Sequence, residues 1–196
     1  SATFTNAANW NPNGLPTIND DVYITNYIGA TSVTLTNRGT SLTNANLTMF
    51  NTAAGVYTLL LSNSTYQVAN TTVLGTNSLV VLGANLSGSA STFSNNNLYL
   101  AGNAGLAFNA NSVTAPSRLI VAGTFTNSSN SVITNYAGNA AVLQFAGTVT
   151  NNGLIGFLMS SGSAGDTALV VQAETLYNRG TVSVGVTVGT GSARAY

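Results

Sequence analysis

The chain has 196 residues, of which 4% are charged, with four Arg balancing four acidic residues and no Lys, His or Cys. That composition excludes a basic stripe for phosphate backbones, thiolate metal sites, disulfides and Cys nucleophiles, so nucleic acid is not an expected partner. No apolar run approaches the roughly 18 residues that span a bilayer, which excludes membrane insertion by helices, and a hydrophobic fraction of 44% argues against disorder.

Residues 1–30 read as a turn-rich opening segment. They hold the only Trp, Trp10, two of the three Pro, and Asp20 and Asp21, and they feed a predicted strand at Val22-Tyr23-Ile24. The turn chemistry of Asn9 to Pro16 suits a lid over one end of the strands beyond it. No cofactor or metal is expected, and the oxygens of Asn19, Asp20 and Asp21 are the one place where calcium ligands would lie. In the competing reading Asp20 and Asp21 cap a turn and pair with an Arg. SATFTNAANW lacks a basic n-region and an apolar h-region, so Ser1 reads as a mature terminus left after export.

From residue 31 to 196 one continuous domain of short strands is expected. Alternating runs recur at Val33-Thr34-Leu35, Leu79 to Leu82, Leu98-Tyr99-Leu100, Leu119-Ile120-Val121 and Val182 to Val188, with no helical period between them. RLIVAGTFTN (Arg118 to Asn127) returns as VLQFAGTVTN (Val142 to Asn151) after 24 residues. ALVVQAETLYN (Ala168 to Asn178) follows after 26, with one residue inserted before Thr175. SLVVLGANL (Ser78 to Leu86) and NLYLAGNAGLAFN (Asn97 to Asn109) read as weaker relatives.

Phrases of one length, order and spacing predict an all-β, right-handed parallel β-helix (β-solenoid) with a turn-rich N-terminal cap segment. The competing architecture is an antiparallel β-sandwich, in which Thr-x-Thr and Asn-Gly are strand and hairpin vocabulary. In the coil, Leu119, Val121 and Phe125 point inward beneath Leu143, Phe145 and Val149, and these beneath Leu169, Val171 and Leu176. Thr124 and Thr126 stack outside on Thr148 and Thr150. Asn127, Asn151 and Asn178 stack at a corner, where a side-chain amide satisfies the bent backbone. Gly123 and Gly147 are expected to take positive φ at the same bends.

NWNPNGLPTINDDVYITN (Asn9 to Asn26), with its Asn-Trp, Gly, Pro and Asp-Asp-Val-x-Ile, resembles the opening segment of autotransporter-passenger-like and filamentous-haemagglutinin-like bacterial surface proteins. GTVTNNGLI resembles their recurring rungs. The resemblance covers about a tenth of the chain by this count of residues, and what it implies is a right-handed β-helix on or outside a bacterial surface.

Catalysis has little material here. Eight charges spread over this length form no acid/base pair, since Asp20 and Asp21 face opposite ways on an extended segment and Asp166 and Glu174 lie far off in sequence. A non-enzymatic role follows as the expectation. A solenoid has two ends that must be capped or joined. The uncharged alternating strand of Val182, Val184, Val186 and Val188 has no gatekeeping Lys or Pro. With Trp10 at the other end, it marks the expected self-assembly surface of an extracellular or cell-surface homo-polymer, joined head to tail or by a donated strand. Cohesion by neutral groups predicts contacts insensitive to salt and pH. The rival is a monomeric adhesin rod that holds glycans on its Thr and Asn faces.

Overall fold

Segments in which Val, Leu or Ile alternate with Thr, Ser or Asn form strands throughout the computed structural model, which describes residues 2–25, 32–83, 90–109, 116–135, 141–160, 167–187 and 193–195. The chain opens with β1 (Ala2–Thr3), a single 3-10 turn (Ala7–Asn9) and β2 (Asp21–Thr25). It continues through β3 (Val33–Arg38), β4 (Ser41–Phe50), β5 (Tyr57–Ser62), β6 (Thr65–Leu74), β7 (Ser78–Leu82), β8 (Thr92–Leu100) and β9 (Gly105–Phe108). Three-strand turns follow: β10 (Ser117–Val121), β11 (Phe125–Asn127) and β12 (Val132–Asn135), then β13 (Ala141–Phe145), β14 (Thr148–Asn151) and β15 (Leu154–Ser160). The last described strands are β16 (Thr167–Val171), β17 (Thr175–Asn178), β18 (Thr181–Thr187) and β19 (Ala193–Ala195).

Every pairing among the described strands is parallel, which makes this a β-solenoid and not a sandwich of hairpins. One sheet stacks β1, β3, β5, β7, β9, β12, β15 and β18. The other is a broad, bent sheet with two halves. Its near half runs from Ser41–Asn44 of β4 through β6, β8, β10, β13 and β16 to β19. Its far half runs from β2 through β4, β6, β8, β11 and β14 to β17. Tyr57 pairs with Ser78 and Gly105 with Val132, so from β2 onward one turn takes between 21 and 27 residues, while the step from Ala2 to Leu35, which includes the lid, takes 33.

The bend between the halves explains why the early turns escape a sequence search. In β4, β6 and β8 it is absorbed by register shifts at Asn44/Asn46 and Val68/Thr71 within unbroken strands, and such bulges leave no repeated phrase. From β10 onward it becomes a break at Ala122–Thr124, which is where the Ala-Gly-Thr phrase begins to recur. The shift of 24 between Leu119 and Leu143, and of 26 between Leu143 and Leu169, are register pairs as expected. The two weaker relatives are placed differently. Ser78 to Leu82 lies in the other sheet, and Leu98 stands opposite Phe125 and not Leu119. Alternation identifies a strand but carries no label for its sheet.

Inward columns fill the coil. Leu35, Leu59, Val80, Leu106, Ile133 and Ile155 follow one another in register and are all buried. Each contributes about 1.5–3 kcal/mol by area. Phe125 and Phe145 stack with ring centroids 4.4 Å apart, and Tyr66 on Phe93 at 5.8 Å.

The glycines at the bend serve close approach and not positive φ. The described glycines with positive φ are Gly39, Gly83 and Gly102. A Cβ on Gly123 would stand 2.7 Å from Asn97 Oδ1 and 2.9 Å from Asn96 O, and one on Gly147 only 2.4 Å from Gly123 O. Stacked turns touch backbone to backbone here, and only a residue without a side chain fits.

Candidate association surfaces at the two ends of the coil

At the C-terminal end the outer edges of β17 and β18 carry no further strand among the described residues, because β19 returns to pair with β16. Val182 continues the Leu35-to-Ile155 column, yet it is 41% exposed, and Leu176 and Tyr177 are 55% and 58% exposed. Leu176 was expected to be a core residue. It does occupy the inward column beneath Val149, but with no strand beyond it, half of its side chain meets solvent. Val184 and Val186 lie on the same strand, opposite Phe157 and Met159; Val188 falls outside the described residues.

The N-terminal end is built differently. Residues 4–20 leave the coil where a strand on Ser41–Asn44 would run, and fold back as a lid. Phe4 is buried against Tyr66, with centroids 5.3 Å apart. Trp10 lies on Phe4 at 4.6 Å and its indole Nε1 donates to Phe4 O at 2.8 Å. Trp10 therefore sits at the opposite end from the valines grouped with it in the sequence, holding the lid shut. Beside the lid, the outer edge of β2 carries no further strand among the described residues. An open cleft of about 640 Å³ runs along it, bordered by Trp10, Pro12, Leu15, Tyr23, Leu35 and Tyr57.

Asp20 and Asp21 close the turn that leads into β2. Asp20 Oδ2 accepts from the Thr17 amide at 2.7 Å and the Thr17 hydroxyl at 2.8 Å. These bonds, the amide first, hold its carboxyl below the usual range. Asp21 Oδ1 accepts from Asn46 Nδ2 at 2.7 Å. Their hydrogen bonds thus come from Thr17 and Asn46, not from the Arg expected, and among the described residues no three His, Cys, Asp or Glu side chains group as metal ligands.

The corner asparagines form a hydrogen-bonded column. Asn127 Nδ2 donates to Asn151 Oδ1, and Asn151 Nδ2 to Asn178 Oδ1, both at 2.8 Å. Asn127 and Asn151 are buried, while Asn178 at the foot is exposed. The outer row is short. Thr126 pairs with Thr150, but Tyr99 and Tyr177 stand on either side of them. Thr148 pairs with Thr175, and Thr124 donates its amide to Asn97 Oδ1 at 2.9 Å.

Compared with protein-family models, curated proteins and solved structures, the chain matches none. The functional reading therefore stands on the residues and on the geometry of the ends. Sequence reasoning placed Leu176 in the core and assigned Tyr23 and Tyr177 to no surface. Their only signal is position, in the first and last strands of the far half.

Proposed function

We propose that the chain is a structural subunit, exported to the cell surface or beyond, that joins copies of itself through the ends of its coil into a fibre or sheath. The observation that carries this reading is the C-terminal end. Two adjoining strand edges there, unpaired among the described residues, lie beside exposed Leu176, Tyr177 and Val182. A single exposed apolar residue is ordinary. Three of them along open edges, with no Lys in the chain to guard them, are what strand addition uses. Resemblance of Asn9 to Asn26 to bacterial surface proteins supports the extracellular setting. Sedimentation velocity over a concentration series, followed by electron microscopy, tests the proposal. Growth of the particle with concentration is expected; one monomeric species throughout would refute it.

The cleft at the other end favours a second reading, a monomeric rod that holds a glycan. Trp10, Tyr23 and Tyr57 offer ring faces there, and Asp20 and Asp21 offer acceptors. Glycan-array binding lost on Tyr23→Ala is its expected signature, and an array without hits would remove it.

A further inference from the structure

The two ends can be tested against each other by following each column through the coil. Val22 continues through Leu47, Thr72, Leu98, Phe125 and Val149 to Leu176, and Tyr23 runs parallel to it down to Tyr177. Leu35 leads down its own column to Val182. In the near half Leu42 leads to Ala195.

In chain order the first three strand positions of the coil are β2, β3 and the near half of β4. The last three are β17, β18 and β19, in the same order around the coil. Setting β2 of one copy on β17 of another therefore also sets β3 on β18, and Ser41–Asn44 on β19, in a single screw operation. Apolar positions meet inside and Tyr23 meets Tyr177 outside. One element stands in the way. β1 already occupies the edge of β3, pairing Ala2 with Leu35 and Thr3 with Thr36, in the place that Val182 and Ser183 of the second copy would take.

We infer that β1 and its lid are a resident plug, and that copies join when β18 of one displaces β1 from β3 of the next. This rests on the proposed self-association and names its contact. Among the described residues β1 pairs with Leu35 and Thr36 of the six-residue β3, and β18 presents seven residues. No described strand pairs with the outer edge of β2, since residues 4–20, which precede it, fold into the lid instead. The contact is heterologous and does not close on itself, so it propagates.

The experiment uses the absence of native Cys. Chains carrying Tyr23→Cys are mixed with chains carrying Tyr177→Cys and oxidised. Neighbouring strands lie about 4.8 Å apart, within the reach of a disulfide, so a 23–177 cross-linked heterodimer is expected. Replacing Tyr23→Cys by Thr25→Cys moves the thiol about 6.6 Å along the strand, and loss of the cross-link is expected. In a separate variant, Thr3→Cys with Thr36→Cys fastens β1 to β3. Oxidised, this chain should lose association; reduced, it should regain it, which shows that the variant is folded.

A 177–177 homodimer as the main product would overturn the inference in favour of a tail-to-tail contact. Association that continues with β1 fastened, or that yields no 23–177 product, would also overturn it while leaving the proposed function in place. An unmodified chain that never associates would end both.

Discussion

Asn151→Ala removes the middle rung of the corner column, and the structure sets the size of the effect. The Asn151 amide accepts from Asn127 and donates to Asn178, each at 2.8 Å. Two net hydrogen bonds are worth about 1 kcal/mol each. Asn127 Nδ2 is then left with Leu154 O at 3.4 Å as its remaining acceptor. A buried donor so poorly matched costs about 1–3 kcal/mol. The expected loss is therefore about 3–5 kcal/mol in urea unfolding, with an unchanged denaturant slope. Asn178→Ala is the control. It removes one bond at an exposed position, and its expected cost is about 1 kcal/mol or less. A solenoid can lose its last turn independently of the rest, so hydrogen exchange at the β14 and β15 amides should accompany the unfolding curves. Equal losses from the two variants, or an Asn151→Ala chain within about 0.5 kcal/mol of the parent, would show that the column is geometric coincidence and contributes no cohesion.

Three further outcomes follow from other parts of the coil. The Tyr66 hydroxyl is buried without a partner, and burial pushes its phenol pKa up; Tyr66→Phe should raise stability by about 1 kcal/mol, and thermal unfolding that shifts downward would show that the hydroxyl is bonded after all. Gly147→Ala places a Cβ 2.4 Å from Gly123 O, so two turns must move apart at a cost of about 1–3 kcal/mol, measurable by the same denaturant series; a neutral result would count against close backbone stacking at the bend. Asp20 has its pKa lowered by Thr17, so its contribution to the lid is present above the unfolded value, near 3.8, and lost as pH falls through the lower folded value. Fluorescence of Trp10, the only Trp, should report that loosening in strong acid, and Asp20→Asn should be loosened already at neutral pH; an identical acid profile in the two chains would place the transition elsewhere.

What the sequence makes legible depends on whether a feature is local. The Ala-Gly-Thr-x-Thr-Asn phrase packs a bend, a strand and a corner into six residues. Two copies of it sufficed to set the register of β10, β11, β13 and β14, and the looser echo from Ala168 to Asn178 carried the Asn127 and Asn151 column on to Asn178. The early turns carry no such phrase, because an unbroken strand with a bulge turns the bend at Asn44 or Val68 with ordinary residues. Gly123 and Gly147 show a second limit. Their place at the bend is readable, but their reason is a contact with the neighbouring turn, which no local rule contains. Leu176 shows a third. Its column is inward by alternation, and its exposure depends on what lies one turn further on, a property of the stack and not of the residue.

Nearly neutral sides and open ends make opposite demands on such a molecule. Faces of Thr, Asn and Ser do not repel one another at any pH, so charge cannot keep copies apart laterally, and any preference for growth along the axis has to come from the ends. The ends are where the described acidic residues gather: Asp20 and Asp21 at one, Glu174 at the other, immediately before β17. In the end-to-end register proposed above, Thr175 would fall on Asp21 and Glu174 would lie beside Asp20 and Asp21 of the next copy. The expectation that contacts between copies are insensitive to pH would therefore not hold at this proposed joint. In that proposed assembly the grouped carboxylates would weaken association at neutral pH, and the β1 plug would weaken it further. Both would hold a sticky, uncharged coil in its single-copy form until the lid is released, after which pairing along three strands at once favours the continuing stack.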